Sequence, residues 1–204
     1  MRIYLGIALG VVTTTIVCLI LYATAPAAGA AGSGSAPPEG MTLPSYNDEG
    51  QLIRPEGYRS WIFVGASLGL SYSENSRREG PGLFHNVYMQ PEAFRHYADT
   101  GEFPEKVMLV MENFRPGSKE SINQQGYFEK DFVGMEVALK DSETFEEGWA
   151  YFNFSNRGGG LKDTARAFPK ATCFQCHLEH GADDNVFVQF YPVLGAVKDL
   201  PEEK

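Results

Sequence analysis

Cysteine is scarce in this chain: three in 204 residues, at Cys18, Cys173 and Cys176. Cys18 lies in an apolar stretch, with Ile16-Val17 before it and no small residue, which excludes a lipoprotein attachment context. The other two stand three residues apart, so no disulfide framework is available to stabilise the body. Further ligands at regular spacing are lacking, which excludes a structural zinc site. Positive charge is also short, with 17 Lys and Arg against 26 Asp and Glu, a net charge of −9. That balance argues against nucleic acid and against anionic membrane surfaces as partners. Internal repeats are absent, and long amphipathic segments are too few for a helical bundle.

What is present begins with an apolar run from Ile3 to Tyr22, preceded by Arg2. An Ala/Gly/Ser/Pro stretch follows to Gly40, with a small-residue cleavage site at Ala28-Gly29-Ala30. One positive charge before such a run marks export. Its length approaches the ~20 residues that span a bilayer. Residues 1–25 are therefore expected to be a signal peptide or an inner-membrane anchor. Residues 26–57 read as a flexible linker and leading segment, and residues 58–204 as one domain with one core. Either form of the N-terminus places the body in the periplasm.

The decisive stretch is Cys173-Phe174-Gln175-Cys176-His177. C-x-x-C-H is the spacing of covalent haem attachment: two thiols add to the two vinyl groups, and the next imidazole lies beneath the iron. A thioredoxin-like pair would sit in a βαβ pattern, whereas this motif follows Gly158-Gly159-Gly160 and Pro169 late in the chain. One covalent haem c with His177 as the metal ligand is the expectation.

The body reads as α+β, predominantly antiparallel sheet with a few short helices. Strands are expected at Trp61 to Ala66, Val87 to Met89, Val107 to Met111, Gly134 to Lys140, Trp149 to Phe154 and Val186 to Tyr191. Pro91 opens a helix with Ala93, Phe94 and Tyr97 as its apolar stripe, and Gly101 ends it. Small helical cytochromes c carry the motif early and supply a methionine far downstream. Here the 27 residues after His177 contain none.

In this order Val87-Tyr88-Met89-Gln90-Pro91-Glu92-Ala93, Gly101-Glu102-Phe103-Pro104, the strand Val107 to Glu112, Met135 to Asp141, Gly148-Trp149-Ala150-Tyr151-Phe152, the haem motif and Val186 to Pro192 resemble the cytochrome P-460 family. That family includes the β-sheet cytochromes c′. The resemblance implies a homodimer of antiparallel-sheet subunits, each with one five-coordinate haem c. It also implies one of two distal chemistries. In one branch a lysine cross-links to the porphyrin and hydroxylamine is oxidised. In the other, apolar residues cap the iron and the protein binds nitric oxide or carbon monoxide. In the alignment the lysine position falls at Met111, with Lys106 five residues earlier, about 16 Å along a strand and on the opposite face. The expectation is gas binding, with hydroxylamine oxidation as the alternative and electron transfer to a partner cytochrome as the third.

Cys173, Cys176, His177, Phe84 and Met111 are the candidate cofactor-binding residues, with Phe114, Trp149 and Phe152 as further aromatic wall candidates. Glu136 and Glu112 are the candidate proton acceptors if the protein is an enzyme. His85 is a candidate for the distal side, while His96 and His180 read as solvent-facing. Met89, Met108, Met111 and Met135 read as core filler or as iron ligands. Arg157 and Arg166 are weighed between propionate pairing and solvation.

Overall fold

A computed structural model describes residues 34–71 and 80–198. The expected signal or anchor segment lies outside the described residues, and no described helix is long and apolar enough to cross a membrane. Five antiparallel strands form the central sheet in sequential order: β2 (Ile62–Leu68), β3 (Phe84–Met89), β4 (Met108–Gly117), β5 (Phe128–Lys140) and β6 (Trp149–Asn153). A two-stranded sheet pairs β1 (Leu52–Ile53) with β7 (Thr164–Ala165). Among the described residues three α-helices complete the body: α1 (Pro91–Thr100), α2 (Phe174–His180) and α3 (Pro192–Lys198).

The run Met108-Leu109-Val110 is apolar without alternation because β4 is covered on both faces. On one face Leu109 joins Val87, Met89, Ala93, Tyr97, Phe103 and Leu194 in a core closed by α1 and α3. On the other, Met108 and Val110 join Met135, Val137, Leu139, Phe152 and Leu52 beneath the small sheet. Pro91 begins α1 and Gly101 ends it in a left-handed cap, and Ala93 and Tyr97 are fully buried. Tyr97 stacks on Phe103 at 4.3 Å between centroids. Burying such a side chain contributes about 2–3 kcal/mol. Gln90, fully buried, joins α1 to β4: its Oε1 accepts from the Met108 N–H at 2.8 Å, and its Nε2 donates to Thr42 O at 3.1 Å.

Two expectations are corrected. Val186 to Tyr191 is no strand. Val186 makes only an isolated bridge to Asp183, Val188–Phe190 is a 3-10 turn, and α3 follows. Its apolar side chains serve a wrap beside α2 instead of a ladder, with Phe187 packed on the His177 ring at 4.4 Å. The boundary at residue 58 also falls inside the packed body, because Leu52 is fully buried and Met41 nearly so. Strands β4 and β5 run well past the expected ends, as a long two-stranded arm from Phe114 to Phe132 with register shifts after Asn113 and Arg115.

Candidate functional site: a cavity beneath the C-x-x-C-H helix

Alternation along the strands decides which side chains meet. Cross-strand neighbours Val87, Met111 and Glu136 form one row, and Leu109, Ala138 and Tyr151 form the next. Both rows face a cavity of about 390 Å³, also lined by Leu70, Leu83, His85 and Asn113. That volume falls in the ordinary range of ligand sites. Helix α2 supplies the opposite wall with Cys173, Cys176 and His177.

Buried Phe174 anchors α2, so the thiols at its cap and third residue, and the imidazole one residue on, share a helical face. Cys173 is the N-cap residue yet makes no side-chain capping bond, and both cysteines are free. Burial pushes the Cys173 thiol up, and the neighbouring Glu136 and Cys176 add to it. A thiol raised in this way is a poor redox nucleophile, which speaks against a thioredoxin-like role.

His177 is held on three sides. Its ring lies between Tyr151, at 4.2 Å between centroids, and Phe187. Its Nδ1 is 2.8 Å from the carbonyl oxygen of Asn185. A carbonyl only accepts, so Nδ1 carries the proton and Nε2 is left with its lone pair. Burial lowers the imidazole pKa and outweighs the Asn185 bond, which raises it. The ring is therefore neutral at pH 7, as a metal ligand must be.

Glu136 lies on the strand floor beside Met111 and accepts from Asn153 Nδ2 at 3.1 Å. Burial pushes its carboxyl above the usual range. Asn113 also faces the cavity, and its buried Oδ1 has no hydrogen-bond partner among the described residues.

Cys173, Cys176, His177, Met111 and Glu136 thus come together, with His85 at the same cavity. Glu112 and Phe84 do not, and these two candidates are corrected. Adjacent in sequence to cavity residues Met111 and His85, they point through the sheet to its other face. There Glu112, 2% exposed, accepts from Tyr58 Oη at 2.7 Å and pairs with Arg59 at 2.6 Å. Phe84 sits opposite Phe114, which packs edge-on against Phe132. Met89, Met108 and Met135 are core residues. Trp149 donates its Nε1–H to Asp184 at 3.1 Å and lies outside the cavity lining. His96 is half-buried and bonded to Ser35 at 2.7 Å, a change from its expected solvated role, while His180 is exposed as expected. Arg166 pairs with Glu49.

Lys106, the nearest lysine in sequence to the alignment position, is committed elsewhere. Its Nζ lies 2.5 Å from the fully buried Asp141 and 2.8 Å from Glu143. Among the described residues no lysine lines the cavity.

Sequence reasoning missed the Asn185 carbonyl and the aromatic bracket of Tyr151 and Phe187. A backbone acceptor leaves no residue-type signal, and the bracket assembles from segments 36 residues apart.

Two thiols and a neutral imidazole on one wall of a largely apolar cavity, with the distal ring nitrogen free, are the donor set that a covalently attached haem requires. The fold and the site define a mono-haem c-type cytochrome built on an antiparallel sheet. The sequence pattern of the cytochrome P460 family matches residues 55–188, and the chain belongs to that family, whose members bind haem c. No curated protein matches the chain.

Proposed function

We propose that this cytochrome binds small gases such as nitric oxide or carbon monoxide, with Cys173 and Cys176 carrying the thioether bonds and His177 Nε2 on the iron. The lining of the cavity carries this reading: Leu70, Leu83, Val87, Leu109 and Met111 offer apolar surface, and Lys106 is locked to Asp141 and Glu143. When bound, ferrous haem supplies a coordination position for a diatomic ligand. The chain supplies the neutral proximal imidazole and apolar walls that exclude water and charged competitors. A c-type haem motif and the apolar N-terminal run behind a single arginine support a periplasmic location for the body, as a free or membrane-tethered protein.

The ferric protein is expected to be high-spin at neutral pH, and the ferrous protein to take up carbon monoxide and nitric oxide rapidly. Met111→Leu should leave the resting spin state unchanged. A low-spin resting spectrum that turns high-spin in Met111→Leu would instead make Met111 the sixth ligand and the protein an electron carrier.

One observation favours a second reading, oxidation of hydroxylamine with electrons passed to an acceptor cytochrome. Glu136 faces the cavity with its proton affinity raised by burial, as a proton acceptor for that substrate requires. Steady-state assays with hydroxylamine and an electron acceptor are expected to show negligible turnover. If turnover appears, Glu136→Gln should lower it by about 10²–10⁴-fold while carbon monoxide binding persists.

A further inference from the structure

The carbonyl that holds His177 belongs to a short loop, residues 183–185, with two successive left-handed residues: φ is 40° at Asp184 and 63° at Asn185. Residues other than glycine persist in that region only where their surroundings over-determine them. Here the surroundings do. The Asp184 carboxylate receives Lys140 Nζ at 2.7 Å on one oxygen and Trp149 Nε1 at 3.1 Å on the other. Lys140 is itself fixed, since its Nζ also donates to Phe103 O at 2.9 Å. Asp183 accepts from Tyr97 Oη at 2.7 Å, and its carbonyl accepts from the Val186 N–H at 2.7 Å. The end of β5, the start of β6 and α1 therefore all grip this loop. Its Asn185 carbonyl accepts from both His177 Nδ1 and Tyr151 Oη, the latter at 3.3 Å.

We propose that Asp184 is a positioning residue for the proximal ligand: by bridging Lys140 and Trp149 it holds the Asn185 carbonyl against His177 Nδ1 and so sets how strongly the imidazole donates to iron. Asp184 does not line the haem cavity; it acts only through the loop. The inference rests on His177 being the iron ligand, as in the function proposed above. A firm acceptor on Nδ1–H makes the imidazole more basic and orients its ring. Loosening it weakens donation through Nε2, and the ferric state loses more by this than the ferrous state. The iron–histidine bond then softens and the reduction potential rises.

The test uses the full-length holoprotein with Asp184→Asn, Asp184→Ala and Trp149→Phe. Resonance Raman of the ferrous form reads the iron–histidine stretch, and redox titration reads the midpoint potential. Asp184→Ala should move the stretch to lower frequency and the potential upward, with Asp184→Asn and Trp149→Phe displaced less in the same direction. Leu52→Ala, which opens a cavity in the core beneath the small sheet, should lower stability and move neither readout. An Asp184→Ala protein that is destabilised yet keeps the wild-type stretch and potential would overturn the proposal. If that variant does not fold, unchanged values in both milder variants overturn it equally. A wild-type protein with no iron–histidine band would count against the open-site reading alone, because the potentials still report on the loop.

Discussion

Replacing Cys173 and Cys176 together with alanine is expected to abolish covalent haem attachment. Denaturing electrophoresis with a peroxidase stain should then show no haem on the polypeptide, whereas the wild-type band stains. The two thiols share one face of α2 and one cavity with His177, and neither is spent on a cap or a disulfide. Nothing else among the described residues could substitute, since no other described cysteine exists. Each single variant retains one thioether and should keep partial staining. His177→Ala should keep haem attached but alter its absorption spectrum, because attachment and axial ligation reside in different side chains. Complete extraction of wild-type haem into acidified organic solvent would defeat the assignment.

Asp141→Ala is expected to cost about 3 kcal/mol, at the lower end of what removing one partner of a buried ion pair costs. Asp141 is fully buried and receives Lys106 Nζ, Tyr46 Oη at 2.8 Å and the Thr144 N–H at 3.1 Å. Alanine leaves those donors without their main acceptor, although Glu143 still reaches Lys106. Asp141→Asn preserves an acceptor and should cost less. Burial by itself would raise the Asp141 carboxyl, but the hydrogen bonds from Lys106, Tyr46 and Thr144 outweigh it and hold the pKa below the ordinary value. A depressed folded pKa stabilises fully above the unfolded value of about 3.9. That contribution is lost as pH falls through the folded pKa. Urea denaturation of the holoprotein should therefore show a gap between wild type and Asp141→Ala that is wide at pH 7 and narrows below about pH 4. A gap independent of pH would mean that the carboxylate's charge contributes nothing.

The same ion pair bears on function. Lys106, clamped in the turn just before β4, is not free to reach a cavity floored by Met111. Tryptic digestion should accordingly give a haem peptide containing only the segment around Cys173 and Cys176. Haem joined also to a peptide carrying Lys106 would contradict the observed pairing and restore the hydroxylamine-oxidising reading.

Much of this was legible in the residues themselves. The haem motif was readable because covalent chemistry demands two thiols and an imidazole at one spacing, whatever surrounds them. Helix α1 was readable because Pro91 and Gly101 impose their backbone preferences locally. Most strands showed in their β-formers, and alternation alone required that neighbours such as Met111 and Glu112 point to opposite faces.

Which of those two faces holds the cavity was beyond that reading. Both faces of β4 are apolar, and only the docking of α1, α2 and α3 on one side and the small β1–β7 sheet on the other distinguishes them. That is why Glu136 enters the site while Glu112 turns away to Tyr58 and Arg59. The stretch from Val186 to Tyr191 has the composition of a strand but wraps past α2, because packing against His177 and β2 outweighs local propensity. The chemistry of the motif belongs to the sequence by itself. The Asn185 carbonyl beneath His177, the confinement of Lys106 and the choice of cavity face belong to the tertiary structure, because each depends on groups brought together from distant parts of the chain.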